Sequence, residues 1–142
     1  MILPITLTMA GAAALLSLWL GWRVGQKRMS EKVLMGDGGN AALIARMRAQ
    51  ANFVEYTPFV LILIALIELA DGTSLWLWAV GALYLLARIA HALGMDVQPP
   101  ARSPLRGIGI GITMLTLVGL GLYAIALPML HAPRTEAPAT AV

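Results

Sequence analysis

The stretch RMRAQANFVEYTP, residues 46–58, leads straight into FVLILIALIELA, residues 59–70. The second run belongs in lipid, yet Arg46, Arg48, Asn52 and Glu55 stand at its entrance. On a helix turning about 100° per residue, Arg48, Asn52 and Glu55 fall within about 60° of one another. Their i, i+4, i+7 spacing puts them on one stripe, bordered by Tyr56. Arg46 and Gln50 fall on nearly the opposite side. A helix that is polar on two faces suits contact with a second chain better than contact with lipid.

Further along come Arg88 and His91, one turn apart, and then Arg102 and Arg106. Counting back and forward from the turn at 71–74, Glu55 and Arg88 both lie about 21–23 Å from it, at about 1.5 Å per residue. An unpaired Glu or Arg at membrane depth costs about 2.5–3.5 kcal/mol on insertion scales. One reading is therefore a structural ion pair between Glu55 and Arg88. The other starts from the surplus of arginines over buried glutamate. A guanidinium fork matches a carboxylate or phosphate bidentately, so surplus guanidinium invites an anion. Asn52 and Glu55 could then hold an amide or ammonium, and the complementary ligand is small and polar, with carboxylates and an amine. Pro58 cannot donate to the Val54 carbonyl, which leaves a kink or a free acceptor beside Glu55. His91 is either a proton carrier or a hydrogen-bonded packing residue.

These groups must be carried by membrane spans. Of the 142 residues 59% are hydrophobic and 12% charged, against about 25% charged in a soluble domain. Mean hydropathy is +0.80. Four runs, at 2–22, 53–70, 74–94 and 107–130, approach or exceed the roughly 20 residues that cross a bilayer. The fold class expected is an all-α, integral membrane four-helix bundle in one domain at 1–130, left-handed, with helices near 2–24, 41–70, 74–94 and 105–130. Residues 131–142 read as a disordered Pro- and Ala-rich tail. The first run lacks the positive n-region of a signal peptide, and AGAAA at 10–14 reads as a helix contact.

Arg23, Lys27, Arg28, Lys32, Arg46, Arg48, Arg102 and Arg106 flank one membrane face, whereas DGTS at 71–74 has no Lys or Arg. The positive-inside rule makes the basic face cytoplasmic, with both termini outside, in the periplasm of a bacterial inner-membrane protein. Asn40 is expected to cap the second helix, and Thr73 or Ser74 the third. Glu68 and Asp71, at the outer end, read as solvated at the interface. Gly107 and Gly111 form GxxxG, a helix-packing pattern rather than a dinucleotide loop. The chain has no cysteine, and its two histidines, His91 and His131, are too far apart for a metal site. Nothing points to nucleic acid.

RAQANFVEY at 48–56, LYLLARIAH at 83–91 and PLRG at 104–107 resemble, in that order, the second-helix signature, third helix and fourth-helix entry of the MAPEG family. These are membrane-associated proteins in eicosanoid and glutathione metabolism, and LMGDGGNAAL resembles their bacterial branch. The resemblance implies a homotrimer with glutathione as co-substrate, bound between neighbouring subunits and open to the cytoplasm. It implies that Arg48, Asn52, Glu55 and Tyr56 grip the glutathione backbone; the depth count puts Arg88, with His91 on the same helix face, beside them. It assigns Gln50 to a contact from the adjacent subunit and Lys27 or Arg28 to a basic contact at the end of helix one. Arg106 matches the arginine that stabilises the glutathione thiolate; Arg102 is the alternative, because the preceding loop is longer than in the family. Eukaryotic members carry tyrosines where His91 and Met95 stand. The function implied is a glutathione S-transferase or peroxidase acting on lipophilic electrophiles that arrive from membrane lipid. The alternatives are a non-catalytic ligand-binding or scaffold protein of the same fold, and a small transporter whose Glu55 cycles protons.

Overall fold

A computed structural model describes residues 2–97 and 100–131. Four helices follow in order: α1 Pro4–Glu31, α2 Ala41–Asp71, α3 Leu75–Gly94 and α4 Pro104–Leu130. Each is long and apolar enough to cross a bilayer. The expected tail from 132 onward lies outside the described residues.

Each helix buries one stripe. Along α1 the buried apolar residues are Ile5, Met9, Ala13, Leu16, Leu20 and Val24. Along α2 they include Ala49, Phe53, Val60, Ile64 and Ile67. Steps of three and four keep a stripe on one face of a 3.6-residue helix. The stripes meet in two layers. Ile5, Met9, Val60, Ile64, Leu77, Tyr84 and Leu120 pack in the half where α1 starts and α4 ends. Ala13, Leu16, Leu20, Ala49, Phe53 and Ala92 pack in the other half. Leu18, Phe59, Ile62, Leu86, Leu115 and Leu122 point outward, as an apolar solvent permits. Helices α2 and α3 touch each other, and both touch α1 and α4; α1 and α4 do not meet among the described residues.

Helix α1 runs to Glu31 rather than ending near residue 24. Its end is closed by Lys32 in the left-handed region (φ 56°) and by the Val33 N–H donating to the Arg28 carbonyl at 3.0 Å. Asn40 caps α2, its Oδ1 accepting from the Leu43 N–H at 2.9 Å. Helix α2 passes through Pro58 without a break and has 31 residues. At about 1.5 Å each that is about 46 Å, so it overshoots a hydrocarbon core of about 30 Å. Arg46 and Arg48 lie in its first three turns, at the basic end of the bundle. Ser74 takes the N-cap position of α3 but makes no capping bond with its side chain.

Glu68 corrects an expectation. It is not solvated: it is 2% exposed. Its carboxylate accepts from the backbone N–H of Ile5 (2.9 Å) and of Thr6 (2.8 Å), and from the Thr6 hydroxyl (2.7 Å). The first N–H groups of a helix have no partner within it, and the macrodipole favours an anion there. Leu3 at the N-cap supplies none, so α2 caps α1 from across the bundle. Asp71 is paired as well, accepting from the Tyr123 hydroxyl and lying 3.3 Å from His131 Nε2.

At the opposite end, Asp96 gathers two arginines. Arg23, 6% exposed, pairs with it and donates to the Ala92 carbonyl at 3.3 Å. Arg46 reaches Asp96 at 3.3 Å and the Arg23 carbonyl at 3.0 Å. The Arg23 guanidinium also lies 4.6 Å over the Trp19 ring, a cation–π arrangement. These bonds tie α1, α2 and the end of α3 together beside the cavity described next.

Candidate functional site

At the basic end of the bundle a cavity of about 210 Å³ opens between α2, α3 and α4. Arg48, Ala51, Asn52 and Glu55 form one wall, His91 and Met95 a second, and Arg106 and Ile110 the third. Five expected site residues, Arg48, Asn52, Glu55, His91 and Arg106, are therefore brought together. Ala51 and Ile110 carry no chemical signal of their own in the sequence. Their spacing held the clue: Ala51 is one turn from Arg48, and Ile110 one turn from Arg106.

Two glycines determine how closely α4 approaches α3. A Cβ at Gly109 would lie 2.6 Å from His91 Cβ and 2.7 Å from its backbone nitrogen. One at Gly94 would strike the Arg106 backbone. With both absent, His91 Nδ1 comes to 3.2 Å from the Arg106 carbonyl. A carbonyl only accepts, so Nδ1 carries the proton, and Nε2 of the neutral ring is an acceptor. His91 is 5% exposed and lines the cavity. Gly107 and Gly111, the expected packing pair, make no such approach: among the described residues nothing lies within 4 Å of a Cβ at either. They sit on the outward face of α4, while the packing glycine is Gly109, between them.

Arg88 lies behind the Asn52 wall, 1% exposed. Its partner is Asn52 rather than Glu55. Nη2 donates to Asn52 Oδ1 at 2.8 Å, and Nη1 to Thr113 Oγ1 at 3.3 Å. The Thr113 hydroxyl donates its own proton to the Gly109 carbonyl at 2.9 Å. Arg88 Nε is buried without a partner, and the Phe53 ring lies 6.0 Å from the guanidinium carbon. Equal depth put Glu55 and Arg88 level, but depth says nothing of azimuth. Asn52, nearly one turn before Glu55, faces α3, whereas Glu55 is exposed. One turn from Arg88, on α3, the Tyr84 hydroxyl lies 2.8 Å from Thr57 Oγ1.

The remaining expected residues stand outside the cavity lining of the single chain. Tyr56 is half-buried. Gln50 turns toward α1, its Nε2 3.4 Å from where a Cβ of Gly21 would be. Lys27 pairs with Glu31 at 2.6 Å. Arg28 donates to the Gly36 carbonyl at 2.8 Å and contacts Met47 Sδ at 3.5 Å. Arg102 is exposed. Among the described residues no three His, Cys, Asp or Glu side chains cluster as metal ligands.

The arrangement is a small recess at one end of a membrane bundle, rich in cationic donors, with one carboxylate at its rim. The MAPEG family model matches residues 6–126 of the chain. The chain belongs to the MAPEG family and is an integral membrane protein of that group. It is similar to Inner membrane protein YecN from two strains of Escherichia coli, with 34% identity over 83 residues in each comparison. The matched stretch covers 58% of this chain and 63% of each relative.

Proposed function

We propose that the chain is a membrane-bound glutathione-dependent transferase or peroxidase that works as a homotrimer in a bacterial inner membrane, with its site open to the cytoplasm. The observation that carries this reading is the convergence of Arg48, Asn52, Glu55, His91 and Arg106 on one cavity in a MAPEG chain. Glutathione has two carboxylates, one ammonium and one thiol. The arginines suit the carboxylates, and Glu55 suits the ammonium. Arg106 is the catalytic residue: a cation beside a thiol favours the thiolate, which is the nucleophile. With an aryl halide the thiolate sulfur bonds to the ring carbon and halide departs with the bonding pair; with an unsaturated carbonyl it adds to the β-carbon and the resulting enolate takes up a proton. With an organic hydroperoxide, the sulfur attacks oxygen and an alcohol leaves; a second glutathione then yields the disulfide and water.

A trimer gives a binding role to several side chains that are exposed, or stand away from the cavity, in a single chain. Arg48 and Glu55 are exposed at helix positions near the membrane, and Gln50, Lys27 and Arg28 stand away from the cavity. A neighbouring subunit brings its own copies of these groups to the exposed face of α2. The lipophilic substrate enters from the bilayer side.

Incubating purified protein with glutathione and a panel of an aryl halide, an unsaturated carbonyl and an organic hydroperoxide tests the reading. Conjugation or peroxide reduction above background supports it, and binding without turnover moves the chain to the second reading. That reading, a ligand-binding or scaffold protein, is favoured by the α3 wall: His91 and Met95 stand there without a tyrosine hydroxyl. A proton-coupled transporter is weakly supported, because beyond Thr57 and Tyr84 the core is filled by Ile5, Met9, Val60, Ile64 and Leu77. Proton-driven flux in liposomes, lost in Glu55→Gln, would restore it.

A further inference from the structure

We infer that Arg88 is a positioning residue that locks the Asn52 side-chain amide with its NH₂ group toward the cavity, so that Asn52 serves as a donor to an anionic acceptor on the ligand. This deepens the proposed function and rests on it for the identity of the ligand, though not for its charge.

Guanidinium has only donors. The group 2.8 Å from Arg88 Nη2 must therefore be the Asn52 oxygen, and no flip of the amide satisfies the contact. With Oδ1 committed to Arg88, Nδ2 is left for the cavity that Asn52 lines. A free asparagine presents either end to a ligand, whereas this one presents donors. The cavity then offers Arg48, Arg106 and the Asn52 amide as donors, against Glu55 at the rim and His91 Nε2 as acceptors.

The charge of Arg88 points the same way. Among the described residues it forms no ion pair with a carboxylate. Its two side-chain acceptors, Asn52 Oδ1 and Thr113 Oγ1, are neutral, and Nε has none. A guanidinium 1% exposed thus keeps its whole positive charge directly behind the amide. Its field adds to the amide dipole, since Oδ1 faces the cation and Nδ2 faces away. An anion at Nδ2 supplies the counter-charge that the described residues do not provide; an ammonium there meets repulsion. The ligand group against Asn52 is consequently a carboxylate or thiolate, and the ammonium of an amino-acid-like ligand goes to Glu55.

Asn52→Asp separates this role from a structural one. The substitution keeps the shape, gives Arg88 a counter-charge, and replaces the donors with an anion. Glutathione binding is measured by calorimetry on the detergent-purified full chain, and melting is recorded in potassium sulfate against potassium chloride at equal ionic strength. The expected result is melting at or above the wild-type temperature, with glutathione affinity down at least about tenfold and sulfate stabilisation abolished. If Asn52→Asp leaves glutathione affinity within about twofold of wild type, Asn52 merely seats Arg88 and the inference is overturned. Should wild type fail to bind glutathione yet gain stability from sulfate that Asn52→Asp lacks, the glutathione reading falls and the anion site stands. Should neither probe act on wild type, both fall.

Discussion

The Arg88 guanidinium and the Asn52 amide meet at 2.8 Å, and this contact couples the most buried cation of the bundle to the wall of its polar cavity. Arg88 is a poor stabiliser. A buried cation without an anion is costly, and an apolar residue of similar volume often serves stability as well or better. Arg88→Leu should therefore leave thermal stability within about 1 kcal/mol of wild type, or raise it. It should also weaken glutathione binding at least about tenfold, by freeing the Asn52 amide and removing the charge behind it. Paired melting and calorimetry decide; a large drop in stability with binding intact would assign Arg88 to structure alone.

Glu68 performs the opposite kind of work, far from the cavity. It takes two backbone N–H groups and one hydroxyl at the start of α1. Glu68→Ala leaves those donors buried without partners, at a cost of about 2–3 kcal/mol. Denaturation in detergent should show that loss while ligand affinity at the other end of the bundle stays at the wild-type value.

The close approach of α3 and α4 gives a matched pair of substitutions. Gly109→Ala drives a methyl group into His91 and the Ala87 carbonyl and should cost about 1–3 kcal/mol as overpacking. Because it displaces His91 from the Arg106 carbonyl, ligand binding should fall with it. Gly107→Ala meets nothing within 4 Å among the described residues and should be neutral or slightly stabilising through helix propensity. Melting curves of the two variants side by side test this ranking.

Asp96 holds Arg23 and Arg46 together. Its side chain is about a third exposed, so solvent screens part of the attraction. Asp96→Asn should lower stability by about 1–2 kcal/mol, chiefly by leaving the buried Arg23 without its anion. The difference from wild type should shrink as salt is added. A difference that does not change with salt would mean that neutral hydrogen bonds, not charge, hold the cluster.

The four spans were legible because each is a long apolar run, and the second helix start because Asn40 precedes it. Arg48, Asn52 and Glu55 were legible as one stripe because an i, i+4, i+7 spacing leaves little freedom on a helix. What sequence could not give was azimuth between helices. Glu55 and Asn52 stand at similar depths beside Arg88, and only the packed orientation of α2 selects Asn52. Glu68 escapes sequence reading for a related reason. A carboxylate near a helix end looks interfacial, and the N–H groups it caps are 62 and 63 residues away in sequence. Gly109 is hidden inside a familiar GxxxG pattern whose flanking glycines face outward. The extension of α1 to Glu31 is hidden because its last turns are polar, which reads as loop when judged by hydropathy.

The proposed function requires that the cationic recess at the basic end bind glutathione and that Arg106 favour its thiolate. The most direct measurement is the ultraviolet difference absorbance of the thiolate when glutathione is added to purified protein near neutral pH, for wild type, Arg106→Ala and Arg102→Ala. A saturable thiolate signal is expected in wild type, lost in Arg106→Ala and kept in Arg102→Ala. No signal in wild type, or a full signal in Arg106→Ala, would contradict it.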